Sequence, residues 1–150
     1  APALCINERA GAEGEVLAAS DVYKRQVLDR VGGRARIYEL QGDLVFSTVE
    51  AAVRRIVAAT GHVDYAIIDL RRVTRIDPSA AQLLLELVLA WRDAGRYLGF
   101  ASADAQPRFL RFLDEQLSQL AKPIRPLAFA DVDRAIEWCE SRLLAEHGQA

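Results

Sequence analysis

The residues best placed to do chemistry fall in one short stretch, DLRRVTRIDPS, which contains Asp69, Arg71, Arg72, Arg75, Asp77, Pro78 and Ser79. Asp77 suits a helix N-cap, and Pro78 suits the first helical position, where its missing N–H costs nothing. Ser79 then lies in the first turn, among backbone N–H groups without an intrahelical acceptor and at the positive end of the helix dipole. A hydroxyl there is suited to carry, or to sit beside, a negative charge. A phosphoryl group brings roughly −1.5 to −2 charge at neutral pH, and both helix N-termini and guanidinium groups stabilise it. The three arginines fit that chemistry; they fit a solvated loop equally well, and spacing alone does not choose. Asp69 and Asp77 flank the stretch. Structurally they read as a strand-end acceptor and a helix cap; functionally they read as walls of a pocket into which Ser79 points. Ser47 and Thr48 form a second hydroxyl pair. With Glu50 three residues after Ser47, they read first as a capping box opening a helix and second as modifiable hydroxyls.

Other chemistries find little support. His62 and His147 fall in a turn and in the C-terminal tail. No serine sits in a G-x-S-x-G elbow, and neither a phosphate-binding Walker loop nor a dinucleotide fingerprint occurs. The carboxylates show no metal-ligand spacing. The expectation is therefore a protein that is not an enzyme, with no catalytic residue, no metal and no cofactor. Cys5 and Cys139 are far apart and read as reduced thiols. A net charge of −2 gives no reason to expect nucleic acid. No apolar run approaches the roughly 20 residues that span a bilayer, and no secretory leader opens the chain, so neither membrane insertion nor export is expected. A cytoplasmic setting follows from these readings. The sequence has no methionine at all, which points to a piece of a longer polypeptide.

These residues need a scaffold, and the hydrophobic pattern supplies one. Residues 1–33 read as a lead-in or linker, with a helix over Glu15–Arg30 closed by Gly32-Gly33. Alternation from Ala35 to Gln41, then a turn at Gly42-Asp43 before Leu44–Phe46, predicts two short strands. Helical spacing of Val49, Ala52, Val53, Ile56 and Val57 predicts a helix over Thr48–Thr60, with Arg54 and Arg55 outward. Tyr65–Leu70 reads as a buried strand and Arg71–Ile76 as a loop, followed by a Leu-rich helix from Asp77 to about Ala94. A strand at Tyr97–Ala101, a helix from Pro107, a strand at Pro126–Phe129 and a helix from Asp131 to about Glu146 complete residues 34–146, and 147–150 form a tail. Strands alternating with helices imply an α/β fold. We expect a mostly parallel sheet of four to five short strands with about four flanking helices. Functional loops in such folds lie outside the carboxyl ends of the strands, where the Arg71–Asp77 segment falls.

The segment GDLVFST followed by a helix, and then VDYAIIDLRRVTRIDPSAAQLLL, resembles the STAS domain, named for sulfate transporters and anti-sigma factor antagonists. The likeness runs from about Arg34 to Leu144. In that family the corresponding site reads Asp, a variable residue, Ser, Gly, and a partner kinase phosphorylates the serine. The resemblance places Ser79 on that serine, Asp77 on the preceding acid and Thr48 near a second modified position, while Ala80 stands where the family often has glycine. ELQGDLVFST and FADVDRAIEWCE look more like STAS domains fused to larger proteins, such as SulP-type anion transporters or bacterial glutaminases. The resemblance thus implies a non-catalytic regulatory and protein-interaction module of a larger cytoplasm-facing protein. Its partner would be a kinase or other domains of the same polypeptide, and its switch phosphate on Ser79 or a bound anionic nucleotide. Two alternatives stand beside it: a stand-alone anti-sigma factor antagonist, and a small-molecule sensor with an apolar pocket between the Leu-rich helix and the sheet.

Overall fold

The computed structural model describes residues 7–10, 34–58 and 63–147, whose strands form one five-stranded sheet in the order β1-β2-β3-β4-β5. The strands are β1 (Asn7–Ala10), β2 (Ala35–Leu44), β3 (Tyr65–Ile76), β4 (Tyr97–Ala101) and β5 (Leu127–Phe129). The helices are α1 (Phe46–Ala58), α2 (Pro78–Asp93), α3 (Pro107–Ser118) and α4 (Val132–His147). β2 to β5 run parallel, while β1 pairs antiparallel with β2, with Asn7 opposite Glu39 and Ala10 opposite Arg36.

Parallel neighbours in sequential order require a crossover between each pair, and α1, α2 and α3 supply the three. They cover one face: Val49, Ile56, Leu84, Trp91, Phe109, Leu113 and Leu117 pack with Tyr38, Leu40, Ile68, Leu70 and Phe100 of the sheet. α4 has no further strand to reach and folds back over the other face, where Ala135, Ile136, Cys139 and Leu143 meet Ala35, Ile37, Tyr65 and Ile67. Coverage on both sides explains why YAIIDL is apolar almost throughout instead of alternating. On the α4 face, Tyr65 and Tyr97 stack with ring centroids 5.3 Å apart, and Trp138 meets both edge-on. The Arg142 guanidinium lies 4.7 Å from the Tyr97 centroid and donates to the Tyr97 hydroxyl, while Tyr65 Oη donates to Glu146 Oε2 at 2.7 Å.

Several elements follow the sequence pattern within a residue or two: α2, β4, α3, β5 and α4. Asp131 does cap α4, its Oδ1 accepting from Arg134 N at 2.8 Å. Other expectations are corrected. Gly42-Asp43 makes no hairpin; β2 is continuous through it, with Gly42 at φ +81° inside the strand. The RRVTRI segment is no loop but the second half of β3. β3 spends 12 residues where β2 spends 10, and the two extra residues fall at two register shifts, between the pairs Glu39–Asp69 and Gln41–Arg72 and between Gly42–Val73 and Asp43–Arg75. Bulges of this kind break strict alternation. Arg71 and Arg72 are therefore both exposed, as are Thr74 and Arg75, around buried Val73. β1 places a strand in what reads as a linker, and the expected helix over Glu15–Arg30 lies outside the described residues. Val57, expected inside, is exposed.

Candidate functional site

β3 ends where Asp77 N donates to Leu44 O at 2.9 Å, and α2 begins at Pro78. Asp77 has the extended backbone of an N-cap (φ −65°, ψ 153°), and its carbonyl accepts from Ala81 N at 2.9 Å. Its carboxylate, however, bonds no helix N–H. It lies 3.5 Å from the Arg75 guanidinium instead. The first turn of α2 is thus uncapped by that side chain, and Pro78 and Ser79 face solvent. Ala80 is fully buried, so the methyl that replaces the family's usual glycine points into the core and adds nothing to the outer surface.

The start of α1 mirrors this arrangement. Leu44 and Ile76 are register partners on neighbouring strands, and exposed Ser47 and Ser79 each lie three residues beyond them. The expected Ser47–Glu50 capping box is replaced by another pair. Thr48 Oγ1 accepts from Val45 N at 3.0 Å and donates to Val45 O at 2.9 Å, so Val45 is the cap position and Thr48 reaches back to it. Helix geometry decides this: α1 starts two residues earlier than the Ser47 cap requires, which moves Ser47 into the first turn. Both hydrogen-bonding capacities of the Thr48 hydroxyl are engaged, while Glu50 pairs with Arg54 at 3.2 Å on the surface.

Asp69 belongs elsewhere. It lies seven residues before the end of β3, about 23 Å at about 3.3 Å per residue, and is 4% exposed. Its Oδ1 accepts from Arg71 N at 3.0 Å and from Ser102 Oγ at 3.1 Å. Asp69 is therefore no wall of a Ser79 pocket; it ties the middle of β3 to the turn that follows β4. Ser102 sits at φ 58°, ψ 35°, the one non-glycine residue with positive φ among those described. After the short turn Ala103–Ala105, Gln106 Nε2 donates to Val73 O at 3.1 Å. Sequence reasoning missed Ser102 and Gln106: neither a left-handed serine nor an amide reaching a strand carbonyl leaves a periodic signal. The structure brings Arg75, Asp77, Pro78 and Ser79 together, with Arg71 and Arg72 exposed further up β3 and Asp69 apart.

Among the described residues no His, Cys, Asp and Glu side chains cluster as a metal site would need, and no helix is long and apolar enough to cross a membrane. Known proteins supply the context. Glutaminase 2 of Bradyrhizobium diazoefficiens is 29% identical over 154 residues, which takes in 95% of this chain but 24% of the glutaminase, so the chain spans about a quarter of that relative's length. The murine Solute Carrier 26 family member A9 anion transporter, in its inward-facing state, superposes with a TM-score of 0.61 over 93% of this chain and 23% of that one, at 13% identity. The phosphorylated form of SpoIIAA, a Bacillus cell fate determinant, superposes with a TM-score of 0.55 over 70% of this chain and 90% of that one, at 21% identity. At such identities the likeness is one of fold. The family model described as "Mlab, STAS domain" matches residues 28–116, more than half the sequence, and on that ground the chain belongs to the STAS-domain family.

Proposed function

We propose that this chain is a non-catalytic regulatory module that works by docking to a protein partner, and that the docking face is the pair of helix starts at Phe46–Ser47 and Pro78–Ser79. One observation carries the reading: two exposed serines stand at the same offset beyond paired strand ends, one of them beside the Arg75–Asp77 ion pair. Family membership supports it, and the glutaminase relative favours a partner within the same, longer, cytoplasm-facing polypeptide. A phosphate on Ser79 adds roughly two negative charges at an uncapped helix N-terminus, where the dipole stabilises them. Arg75 then has a stronger partner than Asp77. The exchange frees the Asp77 carboxylate and reverses the local charge pattern that a partner meets. An anionic nucleotide seated at the same turn would act through the same groups.

The test compares the parent with Ser79→Ala and Ser79→Asp. After incubation with ATP and an extract of the source cells, peptide mass spectrometry should find a phosphoryl group on residue 79 of the parent and none at that position in Ser79→Ala. Affinity for the captured partner should differ at least tenfold between Ser79→Asp and Ser79→Ala. Equal affinities, with residue 79 unmodified and no nucleotide raising the melting temperature, would remove the switch.

A further inference from the structure

The end of α2 remote from Ser79 borders a cleft that the docking face does not use. The cleft opens between α2, the start of β4 and the segment that leads from Leu120 into β5, and has a volume of about 320 Å³. Val88, Leu98, Ile124 and Leu127 form its walls, and three guanidinium groups, those of Arg92, Arg96 and Arg125, stand around it. Gly95 lies at its mouth, at φ +76°, where a Cβ would meet nothing within 4 Å. A second hollow adjoins through Arg92 and Ile124 and adds Lys122. Apolar walls with a few convergent polar groups, at the small end of the roughly 300–1,000 Å³ usual for ligand pockets, describe a site for a small molecule.

Charge narrows the ligand class. Arg92 is 3.3 Å from Asp93 on the same helix end, and Arg96 is 3.9 Å from Asp64, which Arg34 also holds at 2.6 Å. Arg125 is exposed and has no carboxylate within ion-pair distance among the described residues. Three arginines and a lysine against two carboxylates leave the rim net positive. The stems of the arginines extend the apolar lining while their heads remain available at the opening. A neutral apolar guest would leave these heads without use, and a compact inorganic anion would leave the walls bare.

We infer that this cleft binds a small amphipathic carboxylate, with its hydrocarbon body against Val88, Leu98, Ile124 and Leu127 and its carboxylate on Arg125 and Arg92. The inference is independent of the Ser79 reading, since Ser79 and Arg92 lie near opposite ends of α2, about 20 Å apart along its axis at about 1.5 Å per residue. It also gives the sensor alternative a location, between the Leu-rich helix and the sheet.

Decanoate is the probe, and 1-decanol its uncharged counterpart. Decanoate should raise the melting temperature of the protein in proportion to the logarithm of its concentration. 1-Decanol should bind roughly tenfold more weakly, because it forgoes a charge-assisted pair with a guanidinium. Arg125→Gln should lose a similar factor for decanoate and none for decanol, at an unchanged melting temperature without ligand. Ile124→Trp should fill the cleft and abolish binding of both; if it fails to fold, Arg125→Gln alone decides. Ser79→Ala should bind decanoate as the parent does, which separates this result from the fate of the docking face. Equal affinity for decanoate and decanol, unaltered binding by Arg125→Gln, or no stabilisation at all because another segment or nothing fills the cleft would each overturn the inference.

Discussion

Replacing Asp69 with alanine should cost the fold about 2–4 kcal/mol. The carboxylate is 4% exposed and accepts two hydrogen bonds, from Arg71 N in a bulged part of β3 and from Ser102 Oγ in the turn after β4. Hydrogen bonds to charged groups contribute about 1.5–3 kcal/mol each, and removal leaves the donors to find water or remain unsatisfied. Relief of the cost of burying the charge offsets part of that sum. Ser102 adds a second handle. Its left-handed backbone costs roughly 1–2 kcal/mol for a residue with a Cβ. Ser102→Ala keeps that cost and loses the bond to Asp69, whereas Ser102→Gly loses the bond but removes the cost, so it should be close to neutral. Urea unfolding followed by the fluorescence of Trp91 and Trp138 measures each variant, and Asp69→Ala with Ser102→Ala closes a double-mutant cycle. The coupling should be about 1–2 kcal/mol, within the range for residues in contact. At about 2–4 °C per kcal/mol, Asp69→Ala should melt on the order of 10 °C lower than the parent. A loss below about 0.5 kcal/mol, or a coupling indistinguishable from zero, would refute the idea that this carboxylate ties the middle of β3 to the turn after β4.

Four further outcomes can be checked. Leu84→Ala, at a fully buried position against the sheet, should destabilise by about 2.7–5 kcal/mol, read from the urea midpoint at constant slope. Thr48→Val should cost about 1 kcal/mol through the lost cap, while Ser47→Ala at its exposed neighbour should stay within about 0.5 kcal/mol. Burial, and then the hydrogen bond to and charge of Glu146, push the Tyr65 phenol from 10.0 up to about 12. The folded state therefore favours the neutral phenol: its contribution is complete below pH 10 and is lost as pH rises from 10 toward 12. Midpoints measured across that interval should fall less steeply for Tyr65→Phe than for the parent. Burial likewise pushes the Cys139 thiol up to about 12, so a thiol-specific disulfide reagent should modify it at the rate of unfolding and accelerate sharply in urea.

How far the sequence could be read depended on the kind of signal. Long apolar stripes with caps and prolines at their starts, as in α2 and α3, placed those helices within a residue or two, because burial and first-turn chemistry act locally. The errors came where pairing partners decide. Arg71–Ile76 looks like a loop by composition, yet β2 supplies a full-length neighbour and the segment stays extended with two bulges. Gly42 looks like a turn for the same reason, although one left-handed residue is all that the bulged ladder needs. At the candidate site, the position of Ser79 at the mouth of a helix was legible from Asp77-Pro78. The Arg75–Asp77 pairing, the Thr48–Val45 cap and the removal of Asp69 to the Ser102 turn depend on distances between segments, which no local pattern carries.

The mismatch in length between β3 and β4 has a consequence for how copies of this protein behave toward one another. β4 accompanies β3 only as far as Asp69 opposite Ala101, so from Leu70 to Ile76 one border of β3 meets no strand among the described residues. An open border of that length invites foreign chains to zip on. Here Gln106 already occupies the Val73 carbonyl, the bulges throw the backbone out of flat alignment, and Arg71, Arg72 and Arg75 crowd like charges along the rim. These arginines thus serve as a fence along that border. Smoothing that stretch toward valine and threonine would make the border an adhesive one.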